Sequence, residues 1–198
     1  MMKNLTLIFF IFSLLSYSQN NFTSARSIEI SENNYEEQLR SSIVKNIELT
    51  NIGPSVMSGR VTDLEVNPNN PTEFYVAYAS GGLWHTKNNG TTFSPIMDNS
   101  MTQNIGDFAI DWKSNSIYVG TGESNSSRSS YPGIGILKSN DNGSTWTNIG
   151  LRDSHHISRV LVNPNNENHI VVAVIGHLYT KNTQRGIFTS FDNGQTWK

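Results

Sequence analysis

The chain has 198 residues and a net charge of −2, with 15% charged and 36% hydrophobic side chains. That balance is ordinary for a soluble β-protein and gives no electrostatic basis for binding nucleic acid or an anionic membrane. The absence of cysteine excludes disulfide scaffolds, thiolate metal sites and cysteine nucleophiles, so core packing must hold the fold together.

Residues 1–18 read as a secretory signal peptide. Lys3 supplies the positive start, residues 5–15 are nearly all apolar, and Ser16-Tyr17-Ser18 offers small residues for cleavage. The apolar run is short for a membrane span, so no span is expected after cleavage, and an uncleaved anchor is the alternative. The signal implies a secreted, periplasmic or cell-surface protein. Residues 19–50 form a polar N-terminal segment. Within and beyond it, 33–45 suggest a short helix and 47–52 a lone strand.

From there the chain repeats. Thr86-Lys87-Asn88-Asn89-Gly90-Thr91-Thr92-Phe93, Ser139-Asn140-Asp141-Asn142-Gly143-Ser144-Thr145-Trp146 and Ser190-Phe191-Asp192-Asn193-Gly194-Gln195-Thr196-Trp197 share one pattern, Ser/Thr-x-Asp/Asn-x-Gly-x-Thr-aromatic, at offsets of 53 and 51 residues. The periods align beyond these turns. First strands are expected over 61–68, 105–112 and 157–164, and second strands over 74–79, 117–122 and 170–175. Third strands follow at 83–85, 135–137 and 186–188, and fourth strands at 93–96 and 146–149. Four short β-rich runs per period, bounded by Gly, Asn and Pro, define a four-stranded antiparallel blade. Leu64 and Val66 correspond to Phe108 and Ile110 and to Val160 and Val162 on one face of the first strand.

A period near 50 with one such hairpin per repeat predicts an all-β fold, a β-propeller with three blades over about 57–98, 104–150 and 155–198. The last period stops at Lys198 before its fourth strand, and three blades do not close a ring. The chain is therefore expected to be the N-terminal piece of a longer protein, whose remaining blades are its first partner, rather than a subunit of an assembly of short chains. The strand at 47–52 is the kind that closes such a ring by joining the last blade.

The repeated turn is expected to be structural. Asn88, Asp141 and Asp192 accept backbone N–H groups across the hairpin. Gly90, Gly143 and Gly194 supply positive φ, while Phe93, Trp146 and Trp197 plug the blade. A calcium loop would need a ladder of oxygen ligands closed by a distal Glu, which does not follow here.

Strand order gathers the starts of first strands and the ends of second strands on one rim. Arg60, Glu123, His156, Arg159 and His177 are the candidate binding residues there, with Asn104 and His155 also at strand entries. Arg60 and Arg159 equally suit inter-blade ion pairs with Glu123, Asp63 or Asp107. The histidines lack the i,i+4 spacing of common zinc sites, so neither a metal nor a cofactor is expected. No nucleophile-elbow sequence supports a Ser-His-Asp triad, and Gly133-Ile134-Gly135 lacks the third glycine of a dinucleotide fingerprint. No catalytic residue is assigned.

From about Asn51 to Trp197 the chain resembles the exported Asp-box, or BNR-repeat, propellers of bacteria, including sortilin-type proteins and others labelled glycosyl hydrolases by similarity. The resemblance rests on Ile52-Gly53-Pro54, Ser58-Gly59-Arg60-Val61, Gly81-Gly82-Leu83-Trp84, Gly120-Thr121-Gly122-Glu123, Gly176-His177 and the Asp-boxes. It implies a propeller whose activity varies widely among relatives. Xyloglucan hydrolases look similar around Ala79-Ser80-Gly81-Gly82-Leu83-Trp84 but carry a catalytic Asp where this chain has Ala79. Sialidases share the Asp-box, yet their Arg-Ile-Pro signature is absent. The expected function is binding of a protein or glycan ligand at the rim. The alternative is a glycoside hydrolase whose carboxylates lie partly outside this segment.

Overall fold

The computed structural model describes residues 22–47, 59–127 and 130–198. The expected signal peptide, and the expected strand at 47–52 beyond its first residue, lie outside the described residues.

The first described element is a helix, α1, over Ala25–Ser41. It starts and ends earlier than the predicted 33–45. Ser24 is the reason, because its Oγ accepts the Ser27 N–H at 3.1 Å and caps the helix. One face then gains tertiary anchors: Ile28 packs on the blade core, and Glu32 accepts from Arg152 at 2.8 Å. No residue of α1 is itself fully buried, so its apolar periodicity is weak in the sequence.

Three antiparallel sheets follow in chain order. The first contains β1 (Val61–Val66), β2 (Phe74–Tyr78), β3 (Gly82–Thr86) and β4 (Ser94–Pro95). The second contains β5 (Ile105–Asp111), β6 (Ser116–Thr121), β7 (Ile136–Ser139) and β8 (Thr147–Asn148). The third holds β9 (Ile157–Asn163), β10 (Asn166–Val174) and β11 (Gly186–Ser190). Each sheet meanders from its first strand outward. Although the third has no assigned fourth strand, Lys198 already exchanges two backbone hydrogen bonds with Thr189, at 2.8 and 3.0 Å, where one would begin.

All three first strands carry a bulge at the same place. The register slips between Val61 and Asp63, between Ile105 and Asp107, and opposite Ala173 and Val174, so Thr62, Gly106 and Ser158 are the extra residues. Thr62 and Ser158 turn their hydroxyls back to Ala77 O and Ala173 O. Gly106 has no such option, since a Cβ there would sit 1.8 Å from Ile157 O on the next blade. The bulge re-aims the residue after it, and Asp63, Asp107 and Arg159 occupy that position.

The middle sheet supplies both interfaces. Phe108, Val119 and Leu137 face Tyr75, Ala77 and Leu83 of the first sheet. Ala109, Tyr118 and Ile136 face Ile157, Val160 and Val172 of the third. This is the period-2 alternation of a sheet packed on both sides.

The repeated turns are each closed by a network of side-chain hydrogen bonds. Ser139 Oγ accepts from Gly143 N at 2.8 Å and donates to Asp141 Oδ1 at 2.8 Å, and that oxygen accepts from Thr145 N at 2.9 Å. Ser190, Asp192, Gly194 and Thr196 repeat the network. In the first box the Asn88 amide donates to Thr92 Oγ1 at 2.9 Å, where the other boxes have a Thr hydroxyl donating to a carboxylate. Two successive left-handed residues make the turn, at φ 56 and 87° for Asn142 and Gly143. The tryptophans do more than plug their own blade. Trp146 Nε1 donates to Ile96 O at 3.1 Å, and Trp197 Nε1 to Ile149 O at 2.8 Å, so each ties its blade to the preceding one.

Candidate binding rim

The rim is built by a bond repeated in every blade. The residue just after the second strand donates its N–H to the residue just before the first: Ala79 to Arg60, Gly122 to Asn104 and Ile175 to His156, each at 2.9 Å. Arg60, Asn104 and His156 are thus equivalent, and Glu123 stands one residue past the closing position of the second blade. The structure places the starts of the first strands and the ends of the second at one end of the sheets, as expected.

Four of the five predicted residues gather there. Arg60, 45% exposed along its side chain, forms an ion pair with Glu123, whose side chain is 3% exposed. His156 is buried, and its Nδ1 lies 2.7 Å from Glu123 O. A carbonyl only accepts, so Nδ1 carries the proton and Nε2 holds the lone pair. Burial, reinforced by the neighbouring His155 and His177, pulls the His156 pKa down to about 4, so the ring is neutral near neutral pH. His177 is joined to this group through His155, whose ring stacks on it at a centroid distance of 3.5 Å.

Arg159 does not join them. It follows the β9 bulge and reaches Asp107 Oδ1 at 3.3 Å, while Asp107 Oδ2 takes the Val160 N–H at 2.7 Å. Burial raises the Asp107 pKa despite that amide and the arginine. Both arginines therefore sit in inter-blade ion pairs, Arg60 with Glu123 and Arg159 with Asp107. Arg60 keeps enough exposure to meet a ligand as well.

The third blade contributes the rest of the rim. The loop after β10 is held against the turn before β9: Asn182 Nδ2 donates to Asp153 O at 2.8 Å, and the Asp153 N–H donates to Gln184 Oε1 at 2.8 Å. Arg185 donates to His177 O at 2.6 Å. Phe22, from the N-terminal segment, lays its ring 4.7 Å from that of His177. Sequence reasoning gave Asp153 and Phe22 no role. The run Asp153-Ser154-His155-His156 was visible, but the arrival of His177 beside it depends on the pairing of β9 with β10.

A concavity lies at the opposite end of the sheets. It has a volume of about 240 Å³ and is lined by Pro68, Ile110, Trp112, Lys113, Val162 and Pro164. It collects the turns between first and second strands of all three blades.

Successive meandering sheets, packed face to face and each carrying the repeated hairpin at its outer edge, define this chain as consecutive blades of a β-propeller with an incomplete ring. No protein-family model matches the sequence, and no curated protein matches it. Among solved structures, an ancestral GH74 enzyme is similar over 76% of this chain and 19% of its own, at 20% identity and a TM-score of 0.58. The GH74 xyloglucanase from Xanthomonas campestris is similar over 72% of this chain and 21% of its own, at 16% identity and a TM-score of 0.50. YCF48 from Cyanidioschyzon merolae gives 18% identity over 70% of this chain and 36% of its own, with a TM-score of 0.42. The chain thus spans about a fifth of the length of the two GH74 proteins, and the likeness to them is one of fold.

Proposed function

We propose that this chain is the N-terminal part of an exported Asp-box propeller that binds a protein or glycan ligand at the rim bearing Arg60, Glu123, His156 and His177. The observation that carries this reading is the state of the carboxylate. Glu123 is buried and tied to Arg60, which suits a fixed recognition surface better than a general acid that must exchange protons with substrate. Ala79, the position where xyloglucan hydrolases carry a catalytic Asp, is 4% exposed and locked by backbone bonds to Arg60 and Ile105. The signal-like segment 1–18 supports export, and with it a secreted, periplasmic or cell-surface location.

The second reading is a glycoside hydrolase of the xyloglucanase or sialidase type. It draws on the two GH74 neighbours and on the place of Glu123 beside the blade-two equivalent of Ala79. Hydrolysis needs a second carboxyl group across the bond, which would have to come from outside this segment.

The full-length protein on glycan and peptide arrays, with a reducing-sugar assay on xyloglucan alongside, separates the two. Saturable binding that Arg60→Ala weakens, without cleavage, is the expected result. Ala79→Asp is expected to create no hydrolysis, because the partner carboxylate and sugar subsites would still be missing. Robust xyloglucan cleavage by the unaltered protein would sink the binding reading. A reporter fused behind residues 1–18 tests export, and retention of the reporter in the cytoplasm would refute it.

A further inference from the structure

The third blade brings together three groups that the sequence keeps apart. Asp153 and His155 precede β9, His177 follows β10, and one potential ligand atom of each lies within 4.8 Å of the other two. His177 is 1% exposed. Its Nδ1 is 2.6 Å from Thr180 Oγ1, and its Nε2, buried and without a hydrogen-bond partner, lies 3.4 Å from Asp153 Oδ1.

With Nδ1–H donating to Thr180, the Nε2 lone pair faces a carboxylate oxygen across a buried gap. Two acceptors in that position repel unless a positive charge sits between them. A cation between them satisfies both, whereas the other tautomer, with Thr180 donating to Nδ1, sets Nε2–H against Asp153 instead. His155 supplies a second nitrogen. Its ring stacks on His177, its backbone holds the left-handed conformation at φ 54°, and its Nε2 lies 3.3 Å from Thr23 O. Donation from Nε2 to that carbonyl leaves Nδ1 as the lone-pair nitrogen.

We propose that Asp153, His155 and His177 form a binding site for a divalent transition metal ion, zinc foremost. Two imidazoles and one carboxylate match the donor preferences of zinc rather than those of calcium or magnesium, which take oxygen ligands. Zinc–ligand bonds of about 2.0–2.2 Å place tetrahedral ligand atoms about 3.3–3.5 Å apart, so the ligand atoms must draw together while the His155 ring turns out of its stack on His177. Asp153, with its side chain 29% exposed, is the member with room to move. Thr180 orients His177 from behind, as outer-shell partners of metal-bound histidines do. Three protein ligands leave a fourth position for water or a ligand oxygen. The site would pin the loop after β10 to the turn before β9, and Phe22 would cover one side of it. None of this depends on whether the rim binds protein or glycan.

The test uses the full-length protein, stripped by chelator, titrated with Zn²⁺ by calorimetry and with Co²⁺ by visible absorption. The wild type is expected to bind one zinc equivalent more than His177→Gln, and to show Co²⁺ bands that this variant lacks. Thr180→Ala is expected to weaken that equivalent about 10–100-fold. His169→Gln, at a histidine on β10 outside the cluster, is expected to leave it intact. Should His177→Gln fail to fold, Asp153→Asn is the second variant and is expected to lose the same equivalent. Equal stoichiometry and equal Co²⁺ spectra in wild type and Asp153→Asn, or equal loss in His169→Gln, would overturn the site and leave a buried histidine–aspartate contact in its place.

Discussion

The middle blade and the two that flank it share one repeat pattern but meet different surroundings. In the middle blade β6 is buried along its whole length, and β5 through its first five residues. In the first blade the same strand positions leave Val61, Leu64 and Val66 at 52, 49 and 40% exposure, and in the third Leu161 and Ile187 are 51 and 67% exposed. Apolar residues that alternate correctly are therefore buried only where a neighbouring sheet arrives. A blade is a unit of sequence and of hydrogen bonding, but not of hydrophobic stability, which resides in the interfaces between blades.

Leu64, Phe108 and Val160 occupy one repeat position and make the sharpest form of this contrast. Phe108 is 1% exposed and lies in the interface of the first and second blades. Phe108→Ala is expected to lower stability by about 3–5 kcal/mol, the range for large aromatic deletions in cores. Leu64→Ala in the same chain should cost within about 0.5 kcal/mol, as at a surface. Chemical denaturation of both variants reads the difference, and similar losses would break the comparison. In a closed ring the Leu64 effect should rise toward the core value.

The inter-blade tryptophans come next. Trp146→Ala removes a ring packed on the first interface and the bond to Ile96 O, at an expected cost of about 3 kcal/mol. Trp146→Phe keeps most of the packing and loses the bond, at about 1 kcal/mol. An unchanged unfolding midpoint combined with lost ligand binding would show that this turn is functional rather than structural.

A smaller effect separates the first repeated turn from the other two. Hydrogen bonds from the Thr196 hydroxyl and amide, then from Ser190, hold the Asp192 pKa at about 2, below its ordinary 3.8. The same kinds of bond, Thr145 first, lower that of Asp141. A depressed carboxylate contributes stability above its unfolded pKa and loses it as pH falls through the folded one. Amide protection at Thr196 should therefore decline as pH drops from 3.8 toward about 2, and that at Thr145 as pH drops below 3.8, while Thr92, held by the Asn88 amide, should keep its protection. Hydrogen exchange checks this, and a parallel decline at all three turns would refute it. Smallest of all, Asn88→Asp is expected to shift stability within about 0.5 kcal/mol at neutral pH.

Much of the architecture was legible because its signals are local. Alternation along 105–111 and turn residues such as Asn67 and Pro68 act over a few residues and gave strands and hairpins, and the recurrence of one turn every 51–53 residues gave the blades. The helix was misplaced because its start rests on a single capping serine, Ser24, and its docking on Ile28 and Glu32 rather than on a periodic apolar stripe. The rim was legible as a place, since strand order puts strand entries and exits together. Its internal pairings were not: Arg60 had three carboxylates in prospect and meets Glu123, while Arg159 meets Asp107.

The sequence by itself determined the repeat, the blade topology and the chemistry of each turn, because period-2 alternation and Asx-type hydrogen bonding are settled between residues close along the chain. Only the tertiary structure decided what crosses from blade to blade. The bulge after each strand entry aims Asp107 at Val160, the tryptophans reach back to Ile96 and Ile149, and His177 lands beside Asp153 and His155. Those meetings depend on how closely two sheets approach and how far one is rotated against the next, which are properties of packing that no single repeat contains.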